Sequence, residues 1–240
     1  MKQSVRKFFE ETAQHKEGVY NPSTGLLTSL AGETQGQVLK ALGKITQRLK
    51  FSLVLDVGSG PGRYAEMYGQ KKAFHIMVDA ILPMLRLARK NTRALGLSES
   101  TDFIVADMEK LPIRTGSCEF VSCIDTLHHL EQPDKDFALR ELARVSSENG
   151  YVFVEIKNGF FPHYLLGLSR RNPSGISVAS SYLAIRSLFK TQGLTDFYST
   201  GALPWGLTAK LLSPSILMGF RKDTIKMAYT RNTFQPKRDL

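Results

Sequence analysis

The 240-residue sequence predicts an α/β protein, a doubly wound and mostly parallel sheet with helices on both faces. Three observations carry that reading. Apolar runs rich in β-formers recur at residues 53–57, 73–79, 101–107, 118–124 and 151–156. Helix-periodic stretches separate them, and the first run ends in a glycine-rich turn. Short runs without polar alternation are what strands buried on both faces look like, and parallel sheets bury both faces.

Taken in order, residues 4–16 place Phe8, Phe9 and Ala13 at helical spacing, before a break around Gly18, Tyr20 and Pro22. Residues 33–48 make a second helix with Val38, Leu42, Ile45 and Leu49 on one face. Leu53-Val54-Leu55-Asp56-Val57 is the first strand. Gly58, Gly60 and Gly62 then let the backbone turn tightly and approach a ligand, and Pro61 suits the first turn of a helix. A dinucleotide fingerprint needs Gly-x-Gly-x-x-Gly, and here Arg63 stands at the place of the last glycine. Asp56 also favours a cationic amino group over a pyrophosphate.

The second strand, 73–79, closes in Asp79, where an acid can accept from both hydroxyls of a ribose. A helix over 83–95 turns Leu85, Ala88 and Leu95 toward the sheet. The third strand, 101–107, closes in Asp107. The fourth, 118–124, exits into Asp125-Thr126-Leu127-His128-His129-Leu130. Doubly wound sheets bind ligands at this carboxyl edge. A neutral imidazole there can take a substrate proton; His128 is the candidate for facing the site, with His129 turned toward the following helix. Adjacent histidines lack the i,i+4 spacing of a metal pair and no third ligand is near, so no metal site is expected. Residues 134–147 are helical, Asn149-Gly150 supplies a left-handed turn, and 151–156 is the fifth strand.

Over residues 50–156 these motifs resemble the class I S-adenosylmethionine-dependent methyltransferases. The glycine turn is similar to motif I, Asp79 to motif II and Asp107 to motif III, and the Leu-His-His-Leu element resembles the ubiquinone- and menaquinone-biosynthesis type (methyltransferase type 11). The resemblance implies S-adenosylmethionine as cofactor, with S-adenosylhomocysteine as product. It implies Asp56 near the methionine amino group and Gly58, Ser59, Gly60 and Gly62 along the methionine and ribose. Asp79 and Ala80 would meet the ribose, Asp107 and Met108 the adenine, and Asp125 would border the same site. His128 would be a general base. It further implies seven strands, with a helix at 180–191, a sixth strand at 194–200 and an antiparallel seventh at 224–230. At 148–150 the family's usual proline is missing.

One methyltransferase domain over 1–240 is expected: a lid segment at 1–49, a cofactor core at 50–156 and a substrate side at 157–240. Two insertions, 158–171 and 201–222, are aromatic and aliphatic, and each ends in a basic pair. With Tyr20 and His129 they supply the candidate substrate contacts Phe160 and Trp205. An apolar cap flanked by cations suits a small or lipid-like acceptor, or a membrane surface.

Net charge is +10, yet 12 of the 32 Lys and Arg and only three of the 22 Asp and Glu lie from Lys157 onward. The basic character therefore belongs to the last third. Its charges are spread, and no (Asn/Asp)-Pro-Pro-(Tyr/Phe) motif follows the fourth strand, so RNA modification is a second reading and a non-catalytic binding module a third. The charged N-terminus lacks a secretory apolar run and no stretch reaches a membrane span of about 18 residues. Cys118 and Cys123, on opposite faces by alternation, read as unpaired thiols in a reducing, cytoplasmic compartment.

Overall fold

A computed structural model describes residues 3–14, 26–159, 161, 179–202 and 213–224, the side chains of 14, 26–33 and 202 excepted. Tyr20, Phe160 and Trp205 lie outside these residues. The described chain folds as α1 (Gln3–Gln14), α2 (Leu26–Arg48), β1 (Leu53–Val57), α3 (Ala65–Gly69), β2 (Phe74–Asp79), α4 (Leu82–Ala94), β3 (Thr101–Val105), β4 (Cys118–Cys123), α5 (Asp134–Val145), β5 (Ser146–Lys157), α6 (Tyr182–Thr191), β6 (Leu194–Ala202) and β7 (Ser215–Lys222). The sheet order is β3-β2-β1-β4-β5-β7-β6, seven strands in all. β7 runs antiparallel between β5 and β6, and the first five strands are parallel.

Strand alternation sorts the core onto two faces. Leu55, Val57, Val121, Val152, Val154 and Ile156 meet the inner sides of α5 and α6, including Leu139, Leu142, Ile185 and Phe189. On the other face, Val54, Phe120, Phe153 and Leu217 pack under Val38, Leu42 and Ile45 of α2. Chain order reverses between β1 and β4, and that switch point opens a crevice at the carboxyl edge.

Several expectations shift. Among the described residues the antiparallel strand beside β5 is Ser215–Lys222, an apolar run buried along most of its length that falls inside the expected 201–222 insertion. Gly219 sits there because the Phe153 ring fills its side-chain space: a Cβ would lie 2.3 Å from Phe153 Cε1. The residues 225–230 are outside those described. Cys118 and Cys123 are unbonded thiols, both buried in one core cluster. Asn149 does take the left-handed conformation, at φ 60°, though as a kink inside β5 rather than as a helix cap. Leu95 lies just past α4 and is exposed.

Candidate active site

The glycine turn is built by strained-for-others backbone. Gly58, Gly60 and Gly62 have φ of 70°, 53° and 81°, a region L side chains avoid. The N–H groups of Gly58 and Ser59 donate to the Val78 carbonyl of the neighbouring strand at 2.7 and 3.1 Å. At Gly58 a Cβ would lie 2.2 Å from Thr126 Cγ2, so the turn from β1 and the turn from β4 touch there. At Gly60 a Cβ would meet nothing within 4 Å: it would stand in the cleft.

Asp79 ties this turn to β2. Its Oδ2 accepts the Gly60 N–H at 2.8 Å and its Oδ1 accepts the Ile81 N–H at 2.8 Å. Burial raises its pKa despite these two bonds. The acid predicted from a strand end thus shapes the turn and faces the cleft at once.

The cleft is open to solvent at its mouth and, with that solvent space counted, spans about 920 Å³. Its wall includes Val57 to Pro61, Arg63, Tyr64, Asp79, Ala80, Asp107, Met108, Asp125, His129 and Leu130. Among the sequence-predicted residues, Gly58, Ser59, Gly60, Asp79, Ala80, Asp107, Met108, Asp125 and His129 therefore come together. Asp107 stays half exposed and pairs with Arg6 of α1 at 3.7 Å. Phe9 of α1 enters the same wall, its ring 5.0 Å from and edge-on to His129. Arg6 and Phe9 are thus the points at which α1 meets the cleft.

Three expected roles meet a different geometry. The histidines are exchanged: His129 lines the cleft, whereas His128 is buried and absent from its wall. The reason is the tight 3-10 turn Leu127–His129, which rotates consecutive side chains by about a third of a turn each. Burial drives the His128 pKa well below the usual histidine range, so its Nδ1, 3.9 Å from Asp125 Oδ1, belongs to a neutral ring. Asp56 is not part of the wall either. Alternation turns it onto the α2 face, where Ser122 Oγ donates to its Oδ1 at 2.8 Å and His75 Nε2 stands 3.9 Å from its Oδ2. Burial, with little to offset it, raises its pKa to about 7. Gly62 lies behind the wall, against α4.

Asp125 is the counter-case. It holds φ 58° at the β4 exit and collects donors: Gln35 Nε2, Lys157 Nζ at 2.9 Å, and Arg63 Nη1 at 3.7 Å. Burial alone would raise its pKa; the Lys157 ammonium foremost, and Arg63 behind it, reverse that and hold it well below the carboxylate range. Gln35, Arg63 and Lys157 were not assigned roles from sequence. Lys157 was legible in principle, since Glu155 and Lys157 are two apart on a strand and must share a face. No group of metal-binding side chains occurs among the described residues.

Comparison with known proteins places this geometry. Residues 55–154 match the family model of a methyltransferase domain. The methyltransferase GfsG of Streptomyces halstedii is 33% identical over 102 residues, 42% of this chain and 36% of that protein. Norajmaline N-methyltransferase of Rauvolfia serpentina is 25% identical over 179 residues, 63% of this chain and 57% of that protein. The chain therefore spans less than two thirds of either relative. Magnesium protoporphyrin IX methyltransferase from Synechocystis, solved with bound S-adenosylhomocysteine, superposes with a TM-score of 0.71 at 17% identity, covering 91% of this chain and 98% of that one. Residues 55–154 thus match a methyltransferase domain, and the fold is that of solved S-adenosylmethionine-dependent methyltransferases.

The residues present fit that cofactor. Gly60 leaves open space where any side chain would intrude, and Ser59 Oγ is a buried polar atom in the wall with no hydrogen-bond partner among the described residues. Successive strand ends add Asp79, Asp107 and Asp125, acceptors suited to ribose hydroxyls, an exocyclic amine and an ammonium.

Proposed function

We propose that the protein methylates a small, apolar or lipid-like acceptor using S-adenosylmethionine. The observation that carries the cofactor part of this reading is Asp79, one carboxylate that accepts two N–H groups of the surrounding turns while facing the cleft. Bound S-adenosylmethionine supplies a methyl group on a sulfonium, already a good leaving group. What remains for the chain is to hold, align and exclude water. Asp79 and Ala80 hold a ribose, Asp107 and the Met108 N–H an adenine, and Asp125 an ammonium. Gly58, Ser59 and Gly60 provide the close backbone approach. Phe9, Met84, Ile124 and Leu130 line the cleft with apolar surface that keeps water out.

His129 is the cleft's imidazole and the group placed to take a proton from an oxygen or nitrogen acceptor. A small acceptor is supported by two of these proteins, whose names give an alkaloid and a porphyrin as theirs, while other relatives are named for tRNA. No helix among the described residues is long and apolar enough to cross a membrane. The unbonded cysteines support a cytoplasmic setting.

Calorimetry with S-adenosylhomocysteine, repeated with RNA over a salt series, tests the reading. Cofactor binding at micromolar to sub-millimolar concentration without salt-dependent RNA affinity is expected. Absence of cofactor binding refutes the proposal; a steep negative salt slope for RNA moves the acceptor to nucleic acid.

A further inference from the structure

Behind Asp125 lies an ion pair that the proposed chemistry does not use. Lys157, at the end of β5, directs its ammonium to Asp125 Oδ1 at 2.9 Å, Glu155 Oε1 at 3.1 Å and Ser215 Oγ at 3.2 Å. Glu155 is 1% exposed, is not part of the cleft wall, and its Oε2 makes no hydrogen bond among the described residues.

Stability does not account for such an arrangement. Removing two charges from water costs several kcal/mol per ion, and replacing a buried pair by apolar side chains of similar volume is often neutral or stabilising. A carboxylate with one oxygen unsatisfied makes the balance worse. The pair does, however, touch something in need of support. Asp125 sits in the left-handed region at φ 58°, a conformation that persists only where its surroundings overdetermine it. Its carboxylate is the anion the cleft presents at the β4 exit. Three contacts place the ammonium: Ser215 from β7, Glu155 from β5, and Asp125 at the β4 exit. Without Glu155 one of these anchors is lost.

We propose that Glu155 and Lys157 are a positioning pair, kept not to stabilise the fold but to fix the Asp125 carboxylate for a cationic ligand group. Lys157 acts directly on Asp125, and Glu155 acts through Lys157. The inference rests on the methyltransferase reading for the identity of the cation, which is the ammonium of S-adenosylmethionine or S-adenosylhomocysteine.

The test compares wild-type protein with E155Q, K157R and the double variant E155Q/K157M, by denaturant unfolding, calorimetric titration with S-adenosylhomocysteine, and steady-state kinetics. The double variant is expected to unfold at the wild-type midpoint or above it. It should bind S-adenosylhomocysteine about tenfold or more weakly, the size of one lost charge-assisted hydrogen bond. The loss should appear in KM for S-adenosylmethionine, with kcat kept within about threefold, because both ligand states are affected alike. E155Q alone should show part of the loss, and K157R should restore most of the affinity. A double variant that fails to fold or unfolds early overturns the proposal, since the pair is then structural. So does a double variant that folds and binds within twofold of wild type. Wild-type protein that binds no S-adenosylhomocysteine overturns the methyltransferase reading itself, an outcome visible before any variant is compared.

Discussion

Asp56→Asn should stabilise the protein, and by an amount that depends on pH. The side chain is 1% exposed, and its single strong hydrogen bond comes from Ser122. Its pKa rises from 3.8 to about 7, chiefly through burial. In the unfolded chain the group ionises near pH 4; in the folded chain it stays protonated until about pH 7. Between those values the folded state binds the extra proton, so rising pH costs about 1.4 kcal/mol of stability per unit and then levels off. The whole shift corresponds to at most roughly 4 kcal/mol. Asparagine pays no ionisation cost, still accepts from Ser122, and offers an N–H toward His75. His75, held down to about 4 by burial, contributes the opposite slope, gaining stability as pH rises toward 6.5. In the wild type the two slopes largely cancel; the difference between variant and wild type isolates Asp56.

Urea unfolding of both proteins at pH 5, 6, 7 and 8 reads this directly. The stability gap should widen from pH 5 to 7 and stay constant above. A gap independent of pH would refute the assignment of a buried, protonated Asp56. The same variant should keep its affinity for S-adenosylhomocysteine within about threefold, since Asp56 is not in the cleft wall. A loss far beyond that would return Asp56 to the methionine amino group.

Other substitutions separate fold from site. Gly58→Ala must accommodate Thr126 at 2.2 Å and a φ of 70°, and should cost about 2 kcal/mol or more in unfolding experiments. Gly60→Ala meets no neighbour, so it should cost only about 1 kcal/mol for its left-handed backbone while weakening S-adenosylhomocysteine binding about tenfold in calorimetry. His129→Ala should lower kcat by about a hundredfold or more if the acceptor must lose a proton in the transition state, with cofactor affinity little changed. His128→Asn should instead show its effect in thermal unfolding, because that ring is buried away from the cleft. Arg6→Ala removes a half-exposed ion pair worth about 0–1 kcal/mol and should leave the melting temperature nearly unchanged. Phe9→Ala should weaken cofactor binding, since its ring forms part of the cleft wall.

The parallel half of the fold was legible because local signals agree there. Runs such as Leu53 to Val57 have neither polar alternation nor helical period, and the first four end where an acid or glycine marks the carboxyl edge. β7 was harder. Its residues fall inside the 201–222 stretch that reads as an insertion; what makes them a strand is pairing with β5, where the Phe153 ring, 66 residues away, requires a glycine opposite. The histidine exchange follows from one short 3-10 turn. Spacing in the sequence identified both imidazoles and their place on the sheet edge, but not which of two adjacent side chains a tight turn directs inward.

Asp56 and Asp125 show why motif reading finds the acids and misses their charges. Both close strands at the carboxyl edge, and both are buried. Asp56 is answered by a neutral hydroxyl and a histidine that burial keeps neutral, so it retains its proton. Asp125 is answered by Lys157 and Arg63, so it loses its proton, with the cost of burial met by opposite charge rather than by neutralisation. The cleft consequently meets a fixed anion at β4 and a neutral acid behind β1. A cation bound there gains from Asp125 and gains nothing from Asp56 until the pH exceeds about 7. Affinity for such a cation should therefore be governed by the residues that hold Asp125, and these come from α2, the glycine turn and β5, three segments far apart in the chain.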